Sequence, residues 1–434
     1  MNILIIISQY HPAQTPNTLR WQPLISAMQA AGHQVSVLTT KRRGWPLSET
    51  VDGLAIYRAG YNSLLDRLYD LLNRQARRNE TNTGGSNRPG LFTSIIQRLV
   101  DKTWRRTYWP DGSRLFLKPG IKKGKDLLKS HNIERVISVG LPFTSHLIGQ
   151  SLKEAQPDLH WHMDIQDPFC YSKEFWVNNF EKYSDRNMKA EKEAFESADS
   201  ISVTNAVAKK RYVELFPSQA NKIAVVPPLF SKPIVDEDNK DAYYDMQLYA
   251  DKTHLTYAGS FYTGVRSIEP FLKFLNFLFE NDPQLFDEIQ FHFLGQLDAR
   301  TMETINAYPK IRRWFVLHGF KNRNQTMAAL LQTDLVMNFG NSTDYHLPSK
   351  VVDYFYLNKP LINFISTEKD STQAFFLDKS LSILNLNLSE SKLEGARNDF
   401  ISYINSAKAS EVKVSKENVT DYTPEKLVTA YLTT

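Results

Sequence analysis

One cysteine, Cys170, is all that the 434-residue sequence contains, so no disulfide joins the chain to itself and a reducing, cytosolic setting is expected. No run of 18 apolar residues occurs, which leaves no candidate for a membrane-spanning helix. The apolar start from Met1 to Ile7 has no basic segment ahead of it and runs into Ser8-Gln9. It reads as a first strand rather than a signal peptide. No G-x-G-x-x-G follows that strand, which argues against a dinucleotide-dependent oxidoreductase. Gly259 and Gly264 begin like a P-loop, but Val265 stands where its lysine is needed, so nucleotide hydrolysis is not expected. Asp236 and Asp238 form an Asp-x-Asp pair with no strand leading into it. It is rejected as a metal site, and no metal or other cofactor is expected.

What is present is an ordinary globular composition, 42% hydrophobic and 23% charged, in a chain long enough for two domains of roughly 200 residues. The net charge of +5 is uneven. Between Arg58 and Arg135 there are 17 Lys/Arg against 7 Asp/Glu, a local +10 on an otherwise acidic body. Such a segment suits a local anionic partner better than general nucleic-acid binding.

Apolar runs alternate with helical patterns along most of the chain. Residues 2–8 and 34–40 read as strands around a helix carrying Trp21, Leu24, Met28 and Ala31, with Pro23 predicting a kink or a late start. Residues 64–78 and 91–109 read as amphipathic helices, the second with Arg98, Lys102, Arg105 and Arg106 beside its apolar stripe. The section 64–125 therefore has the make-up of a membrane-surface contact, or of helices packed on the domain with a solvated basic face. Strands follow at 134–140, 160–165, 200–205 and 222–227, and again at 254–260, 288–295, 314–319 and 334–340. The charged, proline-flanked residues 229–252 read as a linker. The pattern is α/β, with ligands expected at the C-terminal ends of parallel strands.

The most informative stretch is 344–362, DYHLPSKVVDYFYLNKPLI. It predicts a polar loop, a Pro348-Ser349 start signal, a short helix and a buried strand. Val351, Val352, Phe355 and Tyr356 share one side of that helix, and Lys350, Asp353, Tyr354 and Leu357 the other. A lysine in a first turn opposes the helix dipole by ~0.3–1 kcal/mol unless an anion sits there. Asp353, one turn on, is placed to accept from sugar hydroxyls. The alternative is a surface Lys350–Asp353 pair.

This stretch resembles the donor-sugar segment of the family-4-type (group 1) glycosyltransferases of bacterial polysaccharide assembly. In these enzymes a glutamate, seven residues, a second glutamate heading a helix, a proline and a buried strand follow in order. Asp353 falls at the second acid and Pro360-Leu361-Ile362 close the pattern, while Tyr345, beside Asp344, occupies the place of the first. GSFYTGVRS (259–267) looks like the family's glycine turn and HGF (318–320) like its base-binding turn. GLPFTSHLIG (140–149) and DIQDP (164–168) look like acceptor-side segments, with Gln166 in place of an arginine.

The resemblance implies the GT-B fold: two Rossmann-like, doubly wound domains facing across a cleft. It would place an acceptor-side domain at 1–228 with a basic insertion at 60–130, a linker at 229–252, a nucleotide-sugar domain at 253–415, and a terminal helix at 416–434 returning to the first domain. It implies donor contacts from Gly259, Tyr262, Arg266, Gly319, Phe320, Ser349, Lys350 and Asp353, with Arg266 and Lys350 at the diphosphate. His11, His146 and Asp167 would stand at the acceptor, and Asp344 near the sugar. The implied activity is retaining, metal-independent transfer from a nucleotide sugar to a glycan, lipid-linked at the cytoplasmic membrane face, in capsule, O-antigen or exopolysaccharide synthesis. Two other readings stay open: a degenerate relative that only binds a glycan, lipid or protein, and a sugar-nucleotide epimerase on the same fold.

Overall fold

The computed structural model describes the chain except residues 14, 61–106, 175–176, 234, 262–263, 358, 369, 377–382, 408–416 and 434. The chain divides into two compact units, residues 1–226 with 427–434, and residues 227–426. The expected helices 64–78 and 91–109 lie outside the described residues, apart from the last few positions of the second.

The first unit is built on eight strands: β1 (Asn2–Ile7), β2 (Gln34–Thr40), β3 (Ser48–Val51), β4 (Leu54–Ala59), β5 (Arg135–Gly140), β6 (His160–Ile165), β7 (Ser200–Val203) and β8 (Ile223–Val225). Their order is β3-β4-β2-β1-β5-β6-β7-β8, parallel throughout except where β3 pairs antiparallel with β4. β1 is apolar and buried because both of its neighbours are strands and both sheet faces are covered. The helix Pro16–Ala30 starts early, at an N-cap where Thr15 accepts from the Thr18 N–H. Pro23 sits inside it without delaying that start. The helix that follows β5 runs over Thr144–Ala155.

Residues 427–434 close this unit. Tyr431, on the helix Pro424–Leu432, donates to Asp164 Oδ1 at 3.1 Å and accepts from Arg20 at 3.0 Å. Its carbonyl takes Arg135 at 2.6 Å.

The second unit has six parallel strands: β9 (Thr253–Ala258), β10 (Ile289–Leu294), β11 (Phe315–Gly319), β12 (Leu335–Phe339), β13 (Leu361–Ile365) and β14 (Ile383–Asn387). The order β11-β10-β9-β12-β13-β14 reverses direction at β9 and β12, the crevice where open α/β sheets place ligands. Alternation gives the sheet two different faces. One buries Leu255, Tyr257, Phe291, Phe293, Met337 and Phe339 under the helix Glu269–Asn281. The other meets the helices Arg323–Gln332 and Val351–Leu357. Residues 229–252 are not a free linker. They belong to this unit, where Gln332 donates to the Tyr244 carbonyl at 2.7 Å and accepts from the Met246 N–H at 3.1 Å. Among the described residues, no helix is long and apolar enough to cross a membrane.

Candidate donor site and acceptor-side residues

At the reversal point of the second sheet, β9 ends at Ala258 and the chain turns through Gly259. That residue has to be glycine, since a Cβ would lie 2.4 Å from the Tyr257 hydroxyl. The hydroxyl donates to the Ser260 carbonyl at 3.1 Å and accepts from Arg266 Nη1 at 2.9 Å. Arg266 Nη2 donates to Asn341 Oδ1 at 2.8 Å, and Asn341, just past β12, donates in turn to the His346 carbonyl at 2.7 Å. The guanidinium is thus held between the ends of the two strands that flank the reversal.

Lys350 comes to the same end of the sheet. Its ammonium donates to the carbonyl of Ala258, the last residue of β9. Burial pulls its pKa down to about 8, and the charges of Arg266 and Arg323 add to the fall, with Asp353 alone working upward. The helix that follows is only Val351–Leu357, too short for its dipole to matter greatly, so side-chain charge carries the electrostatics here. Nor is the helix two-faced as its wheel suggests: Asp353, Tyr354 and Leu357 are buried along with Val351, Val352 and Phe355, whereas Tyr356 is only partly so. Tyr354 reaches the sheet, donating to Asn338 Oδ1 at 3.0 Å.

Asp353, the residue expected to accept from sugar hydroxyls, already has a partner in the protein. Arg323 donates to both of its oxygens, at 2.7 and 3.1 Å, and also to the Ser231 carbonyl at 2.8 Å. A carboxylate offers about four acceptor positions, so the two turned away from Arg323 still carry lone pairs. Arg323, Asn341 and Tyr257 were not anticipated from the sequence. Arg323 did leave a signal: it follows the Asn322 cap of a capping box closed by Gln325, a cation in a first turn, the same oddity that singles out Lys350.

The remaining donor-side candidates divide. Gly319 adopts φ +69°, a conformation that favours glycine, and its carbonyl accepts from the Gly295 N–H at 2.9 Å. Phe320 beside it is 76% exposed, an unusual position for so large an apolar ring. Ser349 is exposed and Asp344 half-buried on the loop after β12. Tyr262 lies outside the described residues.

In the first unit, His146 and Asp167 stand beyond the C-terminal ends of adjacent strands β5 and β6. His146, in the first turn of its helix, is buried and shares a 2.8 Å hydrogen bond with Ser138 through Nδ1. Burial holds its pKa at about 3, so the ring is neutral at physiological pH. Gly140 makes room for it, because a Cβ there would fall 2.2 Å from Nε2. Asp167 is pushed up to about 6 by burial, near the range where a carboxyl both takes and gives a proton. Its loop is anchored by buried Glu191, which accepts from the Cys170 N–H at 2.8 Å and from the Tyr212 hydroxyl at 2.8 Å. His11 enters the structure chiefly through its carbonyl, which accepts from the buried Arg58 at 2.7 Å.

Several solved structures match over the whole chain. Sucrose-phosphate synthase from Thermosynechococcus elongatus superposes with a TM-score of 0.62 at 13% identity, covering 100% of this chain and 97% of the other. A structure described as trehalose-6-phosphate from E. coli bound with UDP-2-fluoro glucose gives 0.61 at 9% identity, covering 100% and 98%. The chain has the GT-B fold. The apo lipopolysaccharide outer core galactosyltransferase WaaB matches this GT-B chain less closely, at 0.52 and 12% identity over 100% and 98%. No protein-family model and no curated protein matches the sequence.

Proposed function

We propose that the protein is a glycosyltransferase that takes a sugar from a nucleotide-diphosphate donor held by its second unit. The observation that carries this reading is the charge at the sheet's reversal point. The charges of Arg266 and Arg323 both bear on Lys350 there, and Asp353 is the carboxylate whose charge reaches it. Such an excess of positive charge, partly withdrawn from water, suits a diphosphate. Arg266 and Lys350 would neutralise the charge that builds on the leaving nucleotide as the glycosidic bond to it breaks. Asp353, still paired with Arg323, would accept from ribose hydroxyls, and Gly319 and Phe320 would face the base. In the first unit, Asp167 would take the proton of the acceptor hydroxyl, with His11 and the neutral ring of His146 near the acceptor. The fold shared with a structure that holds UDP-2-fluoro glucose supports the donor class.

For the acceptor we propose a lipid-linked glycan of bacterial surface polysaccharide synthesis, met at the inner membrane face through the basic section 64–125. Sedimentation with anionic liposomes at low salt is the expected result, and protein that stays in the supernatant would remove this part. A second reading, a binding protein without transferase activity, draws on Asp353 being engaged by Arg323 and on Tyr345 standing where the resemblance calls for an acid.

The deciding experiment is calorimetric titration with UDP, GDP, ADP and their sugar conjugates. Micromolar binding of one nucleotide, lost in folded Lys350→Ala and Arg266→Ala, is expected. No binding of any nucleotide would sink the donor assignment and favour the second reading.

A further inference from the structure

Three histidines stand on one side of neighbouring strands of the second sheet, His254 on β9, His292 on β10 and His318 on β11. They are joined in a row. His254 Nδ1 and His292 Nε2 are 2.8 Å apart, and His292 Nδ1 and His318 Nε2 are 2.9 Å apart. At one end His254 Nε2 lies 2.9 Å from the Tyr249 carbonyl, and at the other His318 Nδ1 lies 3.0 Å from the Tyr244 hydroxyl.

The ends determine every proton in between. A carbonyl only accepts, so a neutral His254 carries its hydrogen on Nε2 and accepts on Nδ1. His292 must then donate from Nε2 and accept on Nδ1, and His318 must do the same. Tyr244 supplies the last donor. With three neutral rings all four hydrogen bonds run head to tail, whereas a proton added at His254 would reverse the two ring-to-ring links and the one to Tyr244. The surroundings agree with neutrality: burial and the neighbouring imidazoles hold His292 at about 3, and burial with Lys321 holds His318 at about 4. The charged groups facing the row are Lys321 at His318, Asp245 beside Tyr244, and Asp334, whose carboxylate accepts from the His254 backbone N–H at 2.8 Å.

The row ends directly under the turn proposed to face the nucleobase. Lys321 donates to the His318 carbonyl at 2.6 Å and lies 4.2 Å from the centre of the Tyr244 ring. We propose that the Tyr244–His318–His292–His254 row is a positioning device that fixes the Gly319–Phe320–Lys321 turn for a planar, aromatic heterocycle. His292, whose two ring nitrogens bond only to the row's other rings among the described residues, is its central positioning residue. This rests on the donor-site reading above for the identity of the ligand, not for the existence of the row.

Two measurements on the full-length protein separate the row from the ligand. Ring nitrogen NMR of histidine-labelled protein should show all three rings as neutral Nε2–H tautomers at about pH 8, with His292 and His318 still uncharged at about pH 5. A neutral Nδ1–H form, or a charge change near the ordinary histidine pKa in His292 or His318, would overturn the row. Calorimetry with the nucleotide that binds best should show roughly tenfold weaker affinity in His292→Phe with kcat unchanged, and recovery of part of that loss in His292→Gln. If His292→Phe fails to fold, Tyr244→Phe, which deletes only the terminal hydroxyl, should weaken binding about threefold or more, again without loss of kcat. Wild-type affinity in a folded variant would overturn the positioning role. Failure of the unaltered protein to bind any nucleotide would remove the donor reading and the role together, while the tautomers would still decide the row.

Discussion

Arg323 and Asp353 form a two-point ion pair in which the carboxylate is almost fully buried and the guanidinium about one-third exposed, 8% against 37%. Removing the arginine strands a buried charge, whereas removing both partners does not. With allowance for the exposed side of the pair, Arg323→Ala should cost ~1–3 kcal/mol in urea denaturation. Arg323→Ala with Asp353→Asn should cost less than the sum of the two single changes. Strict additivity would mean the pair contributes nothing.

Lys350 is held at about 8 in the free protein, and an anion beside it would raise that value again. Nucleotide affinity should therefore be flat below about pH 8 and then fall, by up to roughly tenfold per pH unit. The same depressed pKa makes Lys350 unfavourable to the fold at neutral pH, a penalty relieved only as pH rises from about 8 towards the 10.5 of an ordinary lysine. Lys350→Met should accordingly stabilise the protein by ~1–2 kcal/mol while abolishing nucleotide binding. A destabilised variant would show that the ammonium serves the fold.

The alternation of apolar runs and helical patterns exposed the two parallel sheets, because a strand buried on both faces has to be apolar along its length. Where that pressure is absent the signal fades. β3, with alternate residues exposed at the sheet edge, left no apolar run, and neither did the charged helix Phe180–Ser197. Residues 229–252 looked like a linker by composition, yet their buried anchors are the few apolar side chains among the charges, Phe230, Ala242 and Met246. At the site, the resemblance to the family's glycine turn picked out Arg266 and a lysine at a helix start picked out Lys350, whereas Asn341 and Arg323 are defined by partners 75 and 30 residues away. The histidines of the row alternate with Leu255, Phe291 and Leu317 along their strands, a pattern visible only once the strand order is known.

Tyr431 ties the end of the chain to the first unit through one hydroxyl, which gives to Asp164 and takes from Arg20. Burial keeps the phenol well above its ordinary pKa, so that hydroxyl remains a donor at any working pH. Tyr431→Phe keeps the ring contact with Trp21, 5.0 Å between centroids, and deletes only the polar links. It should lower stability by ~1–3 kcal/mol, since both remaining partners are buried or nearly so. A variant as stable as the original would mean that ring packing and the Arg135 bond to the residue's carbonyl seat the helix without the hydroxyl.

Gly140 and His146 provide the sharpest test of the acceptor-side geometry. A methyl group on residue 140 would overlap the imidazole at 2.2 Å from Nε2, so Gly140→Ala must displace the ring and strain its 2.8 Å bond to Ser138. The expected cost is ~1–3 kcal/mol, with a fall in sugar transfer if the ring stands at the acceptor. His146→Ala removes the obstacle and leaves its own cavity, which the new methyl would partly fill. The two substitutions together should therefore be more stable than their separate costs predict, by about 1 kcal/mol or more in a double-mutant cycle. Simple additivity would mean that residue 140 and the imidazole do not touch, and the placement of His146 would have to be abandoned.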